Sequence, residues 1–493
     1  MTKGGFVERH GLSSADRTRR VAALKRRIGR EDVHLVRLAW ADSHGASRAK
    51  AVSVPVFLNA LDDGYNINVA TWTLDSANGR VFSSFARGGG MGLDEMTGSP
   101  NLVIVPDPTT FRMLPWAPGV GWILCDEYFR DGRPFHFSSR HLLRRQVRRL
   151  AKDRMRHVVG LEIEWYLSVA VQRELTEDNV GWPGTRGRPI GTAPIEPGFS
   201  YHSETNMDLM QPVLSELARV YDKLGLAVRS LENEWGPGQV ECTFSPTDAL
   251  RAADDYVLFR TATRQVCRRL GYFASFMCRP ALPGHYSSGW HLHQSLTDIA
   301  GKNLLTAKDA LLSVKGRAFV AGLLEHAAAA TVFATPTVNG YRRFRPNSLA
   351  PDRAAWGYDH RGAMLRVLGE PGDPATRIEN RTGEPAANPY LFIASQIAAG
   401  RDGISRNLSL GEPDDEPYAA DRPPLPPDLG DALGELAKSD LFRGEFGEVF
   451  MSYYLKLKGA ELARYRSFCR ENDAGANPDE VTKWEQNEYY DFF

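Results

Sequence analysis

The sequence predicts an α+β fold, with a small domain ahead of a larger one, on three observations. Short apolar runs closed by turn residues dominate residues 33–133. Amphipathic runs with helical spacing flank that stretch and recur toward the C-terminus. In the remainder, several strand-like segments place polar side chains at every second position, which loads one face of each. The expected borders are a helical extension over 1–30, a first domain over 31–135 and a second over 136–493.

Taken in order, residues 1–30 are polar and basic. Ser13 and Asp16 have the spacing of a capping box, and Val21, Leu24 and Ile28 fall on one helical stripe. An Arg-rich amphipathic start can be a targeting peptide, but Glu8, Asp16 and the lack of a cleavage-like site favour a solvated surface helix. Residues 33–40 read as a strand closed by the turn Asp42-Ser43-His44-Gly45. A second apolar run, Leu102-Val103-Ile104-Val105, is stopped by Pro106-Asp107-Pro108. Ala86-Arg87-Gly88-Gly89-Gly90 reads as a flexible loop. Residues 138–153 form a helical pattern with Leu142, Leu143, Val147 and Leu150 on one face and arginines on the other. Beyond it, strand-like and helical segments alternate without an internal repeat. Residues 411–430, rich in Pro and Asp, read as an exposed excursion, 442–465 as a helix, and the end as an aromatic, acidic tail.

Composition narrows the function. The 493 residues carry 60 basic and 60 acidic side chains, and zero net charge argues against a dedicated nucleic-acid or anionic-membrane binder. An apolar share of 42% is that of a globular chain and excludes wholesale disorder. The 5 cysteines are odd in number and scattered, with no CxxC pair, so a disulfide framework or thiolate zinc site is not expected and a reducing, cytoplasmic setting fits. No run approaches the roughly 18 apolar residues of a membrane span.

The chemistry is concentrated in four segments. In Leu161-Glu162-Ile163-Glu164-Trp165 the even positions are both carboxylates. In Trp290-His291-Leu292-His293-Gln294-Ser295 both histidines and the serine share a face. In Thr376-Arg377-Ile378-Glu379-Asn380-Arg381 two arginines flank a glutamate, and in Gly238-Gln239-Val240-Glu241-Cys242 Gln239 and Glu241 share a face. Each segment alone reads as an amphipathic edge strand. Jointly they do not, because a solvated face has no reason to avoid lysine and these faces contain none. Paired in one sheet, and with Glu234 added, they would converge five carboxylates, two imidazoles and two arginines. Unpaired carboxylates at that density raise one another's pKa unless cations neutralise them. Oxygen-rich ligation suits Mg²⁺ or Mn²⁺ more than Zn²⁺. Divalent cations beside arginines are the equipment of phosphoryl transfer, and no Walker A or kinase glycine loop is present.

With these residues in view, the chain resembles the glutamine synthetase family from about Val33 onward. Asp42, Gly45, Arg48 and Lys50 look like the turn of that family's N-terminal β-grasp domain. Gly160 to Trp165, Glu234 to Glu241, Phe276-Met-Cys-Arg-Pro280, His291 to Ser295, Asn339 to Arg343, Arg361 to Arg366, Arg377 to Arg381 and Asn388-Pro-Tyr-Leu391 follow in family order. The resemblance implies a β-grasp domain plus a larger catalytic domain, with a curved antiparallel sheet flanked by helices. It implies one metal on Glu164, Glu234 and Glu241 and a second on Glu162, His291 and Glu379. It assigns His293, Ser295, Arg366 and Arg377 to the nucleotide, Arg361 to the transferred phosphoryl group, and Arg343 and Arg381 to glutamate. The implied substrates are L-glutamate, ATP and an amine, joined through a γ-glutamyl phosphate, in a homo-oligomeric ring with two rings stacked.

Three departures from the family pattern follow; the first two bear on the amine, and the third, at a glutamate contact, opens the site to a related carboxylic acid. A lid glutamate usual in the family is replaced by Leu349, the N-terminal ammonium motif is unrecognisable around residues 65–78, and Tyr286-Ser287 stands where Asn-Gly is usual. Ammonia is mostly protonated at neutral pH and calls for an anionic pocket, whereas an arylamine is neutral and gains from an apolar wall, roughly 1.5–3 kcal/mol for a buried leucine side chain. The expectation is therefore a γ-glutamyl-amine ligase, with an aniline-like acceptor as in γ-glutamylanilide synthases. Alkylamine or polyamine acceptors, ordinary glutamine synthesis and a non-catalytic sensing role remain as alternatives. A polyamine would want acidic residues, which Asp62-Asp63 supply only if the N-terminal domain brings them to the site.

Overall fold

Two sheets organise the chain. The structure is a computed structural model and describes residues 4–477 and 479–493. In the first sheet Leu35–Ala41 pairs in parallel with Val120–Tyr128, flanked by Ser47–Ser53 on one side and Asn101–Pro106 and Tyr65–Asn68 on the other. The parallel pair is covered on both faces, which explains why Trp122-Ile-Leu-Cys125 is apolar without alternation. The turn between the first two strands requires glycine: Gly45 has φ +73°, and a Cβ there would lie 2.8 Å from the Asn388 Cα. Asp42 closes the turn by accepting from the backbone N–H of His44 and Ala46 and from Arg48 Nε. The helix Val54–Asp63 buries Phe57, Ala60 and Leu61 against this sheet, giving a β-grasp arrangement.

The N-terminal extension forms two helices, Phe6–Arg9 and Ala15–Ile28. Val21, Leu24 and Ile28 are buried as their stripe predicts, but Ser14, not Ser13, is the N-cap and accepts from the Arg17 N–H. Arg17 donates to the carbonyls of Pro106 and Leu61, so the helix is fastened to the first sheet. In the stretch 86–90, Arg87–Gly90 forms a short 3-10 turn with Gly88 and Gly89 buried.

Helix Ser139–Lys152 joins the two sheets. Its arginines do not all face solvent. Arg140 is 3% exposed and meets Asp107 and Asp126 from the first sheet and Asp254 from helix Ala249–Arg269, at 2.8, 2.6 and 2.7 Å. Two further patterns resolve differently from the expectation. The helix over 442–465 is two helices, Asp440–Phe446 and Glu448–Asn472, broken at Gly447 with φ +92°. The aromatic tail is core: Tyr489, Tyr490, Phe492 and Phe493 are all buried. The 411–430 excursion is partly pinned, with Pro424 bridging to Arg353 and Leu425 buried.

The second sheet has ten strands. Its main path runs Trp356–Tyr358, Leu365–Leu368, Arg377–Gly383, Trp290–Asp298, Met155–Ala170, Gln239–Phe244, Val228–Asn233. All neighbours are antiparallel except the first pair, which is parallel. Apolar alternates such as Leu161, Ile163, Trp165, Val240, Leu292 and Ile378 point into the helical layer and are buried, leaving the polar alternates on the other face. Among the described residues no single helix is long and apolar enough to cross a membrane; the bent pair Val314–Glu325 and Ala327–Ala334 is largely buried.

Candidate functional site

Register brings the four polar faces together. Across neighbouring strands Glu162 stands opposite His291, Glu164 opposite Glu241, Glu241 also opposite Glu232, and Glu379 opposite both His293 and Arg366. Glu234 follows the end of Val228–Asn233, in a turn held by Glu196, whose carboxylate accepts from the N–H of Gly198 at 2.6 Å and from that of Gly238. Glu162, Glu164, Glu232, Glu234, Glu241 and His291 line, with Arg343, Arg361, Arg366, Arg381 and Leu349, a cavity of about 650 Å³, while Glu379 and His293 are not part of its lining.

Within the cluster, His291 Nδ1–H donates to Glu162 at 2.5 Å, which leaves the Nε2 lone pair directed toward Glu164, 3.9 Å away. His293 Nε2–H donates to the other Glu162 oxygen at 2.9 Å, and its Nδ1 accepts from Arg377 Nε at 3.2 Å. Burial opposes ionisation of Glu162, but these two imidazole bonds hold its carboxyl well below the usual range. Glu379 is likewise held low against burial, by Arg381 above all. The other side of the cluster behaves oppositely. Burial, then the neighbouring carboxylates, push Glu241 up to about 11, and burial with Glu164 pushes Glu234 up to about 8.

That asymmetry tests whether the residues fit divalent cations. Carboxylates placed directly opposite each other on paired strands repel, and no lysine or arginine is paired with Glu241 or Glu234 among the described residues. Glu162, Glu241 and His291 present ligand atoms within 4.8 Å of one another, and so do Glu162, His293 and Glu379. Gly289 keeps the space open: a Cβ there would lie 2.8 Å from His291 Nε2 and 2.7 Å from Arg343 Nη2. An oxygen-rich donor set with one or two imidazoles fits Mg²⁺ or Mn²⁺. The two clusters share Glu162 and cut across the two ligand sets that the resemblance implies.

Four arginines and Leu349 complete the lining. Arg343 donates to the Gly383 carbonyl at 2.8 Å, and Arg366 reaches Glu379 at 2.9 Å. Arg381 pairs with Glu379 and donates to the Leu349 carbonyl at 3.0 Å, so the lid is hooked to the sheet by its backbone. The Leu349 side chain is 63% exposed and its φ is +61°, a left-handed conformation that costs a non-glycine residue roughly 1–2 kcal/mol. Not every expected site residue reaches the cavity. His293 lies behind Glu162, and Ser295 and Arg377 sit further along their strands, opposite Val158 and Leu368. Asp62 and Asp63 are also elsewhere, tied to Lys25 and to the Phe6 N–H.

The cavity also contains residues that the sequence reading missed. Tyr201, His202, Glu232 and Trp235 line it, with Tyr286 and Ser287. Trp235 is 45% exposed and held edge-on by Phe199 at 5.9 Å, and Tyr201 stacks on His202 at 3.8 Å. Phe199 and His202 adopt φ +54° and +55°. For Glu232 and Trp235 the sequence signal is proximity to Glu234; Tyr201 and His202 lie far before it in the chain, in a turn with no periodicity of its own.

Fold and site together define a protein whose cavity sets a carboxylate–imidazole cluster on an antiparallel sheet against a row of arginines. Residues 136–475 match the glutamine synthetase catalytic domain model, and the chain belongs to the glutamine synthetase family. It is 43% identical over 466 residues to a γ-glutamylanilide synthase of Acinetobacter sp, covering 93% of each chain. It is 30% identical to a γ-glutamylethanolamide synthetase of Streptomyces coelicolor, covering 92% of this chain and 95% of that one. Among solved structures it resembles GmaS in complex with ADP, at TM-score 0.73 and 27% identity over 93% of this chain and 96% of that chain.

Proposed function

We propose that this protein is an ATP-dependent ligase that joins the γ-carboxylate of L-glutamate to an amine larger than ammonia, with an arylamine as the acceptor. The observation that carries the reading is the position of Leu349, which lines the same cavity as the carboxylates and arginines, as do Tyr201 and Trp235. An anionic trap for ammonium is thereby replaced by apolar and aromatic surface. The 43% identity to a γ-glutamylanilide synthase supports the same choice.

In this reading Arg343 and Arg381 grip glutamate, Arg361 neutralises the phosphoryl group in transit, and Arg366 contacts the nucleotide. His293, Ser295 and Arg377 extend the site toward the nucleotide. Glu162, Glu164, Glu234, Glu241, His291 and Glu379 hold Mg²⁺ or Mn²⁺, which supply charge neutralisation at the phosphates. The glutamate carboxylate attacks the γ-phosphorus of ATP, ADP leaves, and the amine nitrogen then displaces phosphate from the acyl phosphate. Leu349 covers the acceptor and excludes water that would hydrolyse the activated acid. Polyamines fit less well, because Asp62 and Asp63 of the same chain lie outside the cavity.

The test is ATP- and glutamate-dependent phosphate release, with product masses, across ammonia, ethylamine, putrescine and aniline. Preference for aniline is expected, and preference for ammonia at equal concentration ends the proposal. Absence of any amine-dependent turnover would favour the non-catalytic alternative. We place the protein in the cytoplasm, where its 5 unpaired cysteines remain reduced. A homo-oligomeric ring, doubled by stacking, is the assembly we expect, and sedimentation velocity measures it.

A further inference from the structure

We propose that His202 is the proton acceptor in amide formation and that Glu232 is the positioning residue that orients it. The proposal rests on the arylamine-ligase reading above. His202 Nε2 lies 3.2 Å from a Glu232 oxygen, and the other Glu232 oxygen accepts from the Ser230 hydroxyl at 2.6 Å. With Nε2–H given to the carboxylate, Nδ1 is the basic nitrogen of the imidazole. Tyr201 stacks on the ring at 3.8 Å and fixes its plane. The His202 N–H donates to the Asn233 carbonyl at 3.2 Å, which ties the turn to the strand that leads into Glu234. This base–carboxylate pair lines the same cavity as Leu349 and Arg343.

Backbone strain points the same way. Phe199 holds a left-handed φ of +54° although it is a bulky residue, and His202, a type found there more often, holds +55°. Bulky residues rarely adopt that conformation, and such strain clusters where side chains are aimed for a task. Here the turn brings an imidazole to the lining of the cavity, with Glu232 beside it. The segment that carries Leu349 also adds Asn347 and Ser348 to the lining, neither of them a base, and the resemblance assigns Glu162, Glu164, Glu234 and Glu241 to cations.

The chemistry gives such a group a task. A neutral arylamine uses its nitrogen lone pair to attack the acyl-phosphate carbon, and the nitrogen becomes cationic and acidic. The C–O bond to phosphorus then breaks, and phosphate departs with that electron pair. One N–H proton passes to His202 Nδ1, giving an imidazolium paired with Glu232, and leaves from there to solvent. Charge and atoms balance without a further reagent.

The experiment compares wild type, His202→Gly and Glu232→Gln of the full-length protein. It measures anilide formation at saturating aniline, and glutamate-dependent ADP formation without amine. For His202→Gly, anilide formation should fall about 100-fold, within the usual range for general base catalysis, and by at least tenfold more than ADP formation falls. Imidazole should restore it, whereas pyrazole, of equal size but far weaker as a base, should not. Glu232→Gln should lower anilide formation about tenfold while ADP formation falls less. Anilide formation within twofold of wild type in His202→Gly overturns the proposal, as does equal rescue by pyrazole. If His202→Gly loses both activities through misfolding, Glu232→Gln decides, and wild-type anilide formation there is also fatal. A wild type that makes glutamine but no anilide defeats the arylamine reading before any substitution is compared.

Discussion

Glu241 stands directly opposite Glu164 across two antiparallel strands, and on its other side it faces Glu232. Three carboxylates in a row across a sheet are an arrangement that folding alone would disfavour. Its stability therefore depends on what neutralises it.

Replacing Glu241 by Gln removes one member of the row. We expect the metal-free protein to gain stability, by about 1 kcal/mol, and the stabilisation by Mn²⁺ to shrink or vanish. Thermal unfolding with and without Mn²⁺ separates the two effects.

The same cluster sets a pH dependence. Glu234 and Glu241 have folded-state pKa values raised to about 8 and about 11 from 4.5. The folded metal-free protein thus holds protons that the unfolded chain has released. The contribution of these groups to stability is fully present below pH 4.5 and is lost as pH rises through about 8 and toward 11. Metal binding should release protons, and its affinity should rise with pH. Calorimetric titration with Mn²⁺ in buffers of different ionisation enthalpy counts the protons.

Leu349→Glu returns a carboxylate to the lid. Because Leu349 is exposed, folding stability should change by about 0.5 kcal/mol or less. The ratio of glutamine to anilide formed from competing ammonia and aniline should rise at least tenfold, a shift of about 1.4 kcal/mol in relative barrier. An unchanged ratio in the competition assay would remove Leu349 from acceptor choice.

Gly289→Ala puts a methyl 2.8 Å from His291 Nε2 and 2.7 Å from Arg343 Nη2. Overpacking of this kind costs about 1–3 kcal/mol. A drop in Mn²⁺ affinity larger than the drop in melting temperature warrants is expected, and calorimetry with unfolding curves measures both.

Arg140→Met leaves Asp107, Asp126 and Asp254 without their shared guanidinium. Removing one partner of a buried network costs about 3–5 kcal/mol. The urea midpoint should fall accordingly, and the first sheet should lose amide protection before the second if Arg140 is what fastens them together.

How much of this was legible follows from where the information sits. Glu162, Glu164, His291 and Glu379 were readable because a strand repeats every two residues, so their shared face is written in the spacing. Which strand lies beside which is not in that spacing; it entered through the family's ordered motifs. Glu232 was overlooked although it lies two residues before Glu234, because Ser230 and Leu231 beside it look like any exposed edge. Tyr201 and His202 occupy an aperiodic turn whose direction is set by Glu196 at both Gly198 and Gly238. A long-range clamp of that kind leaves no local pattern. The burial of the tail and of Arg140 leaves no local pattern for a related reason: their partners lie far away in sequence.

The strand Met155–Ala170 carries two of the carboxylates on one face and Leu161, Ile163 and Trp165 on the other. Deleting one residue from its middle would exchange those faces downstream of the cut, thrusting a carboxylate into the helical layer and an indole into the cavity. Evolution therefore has almost no freedom to vary the length of this segment. The irregular stretch over 172–191, attached to its end, has no such alternation to preserve, and insertions or deletions among homologues should collect there.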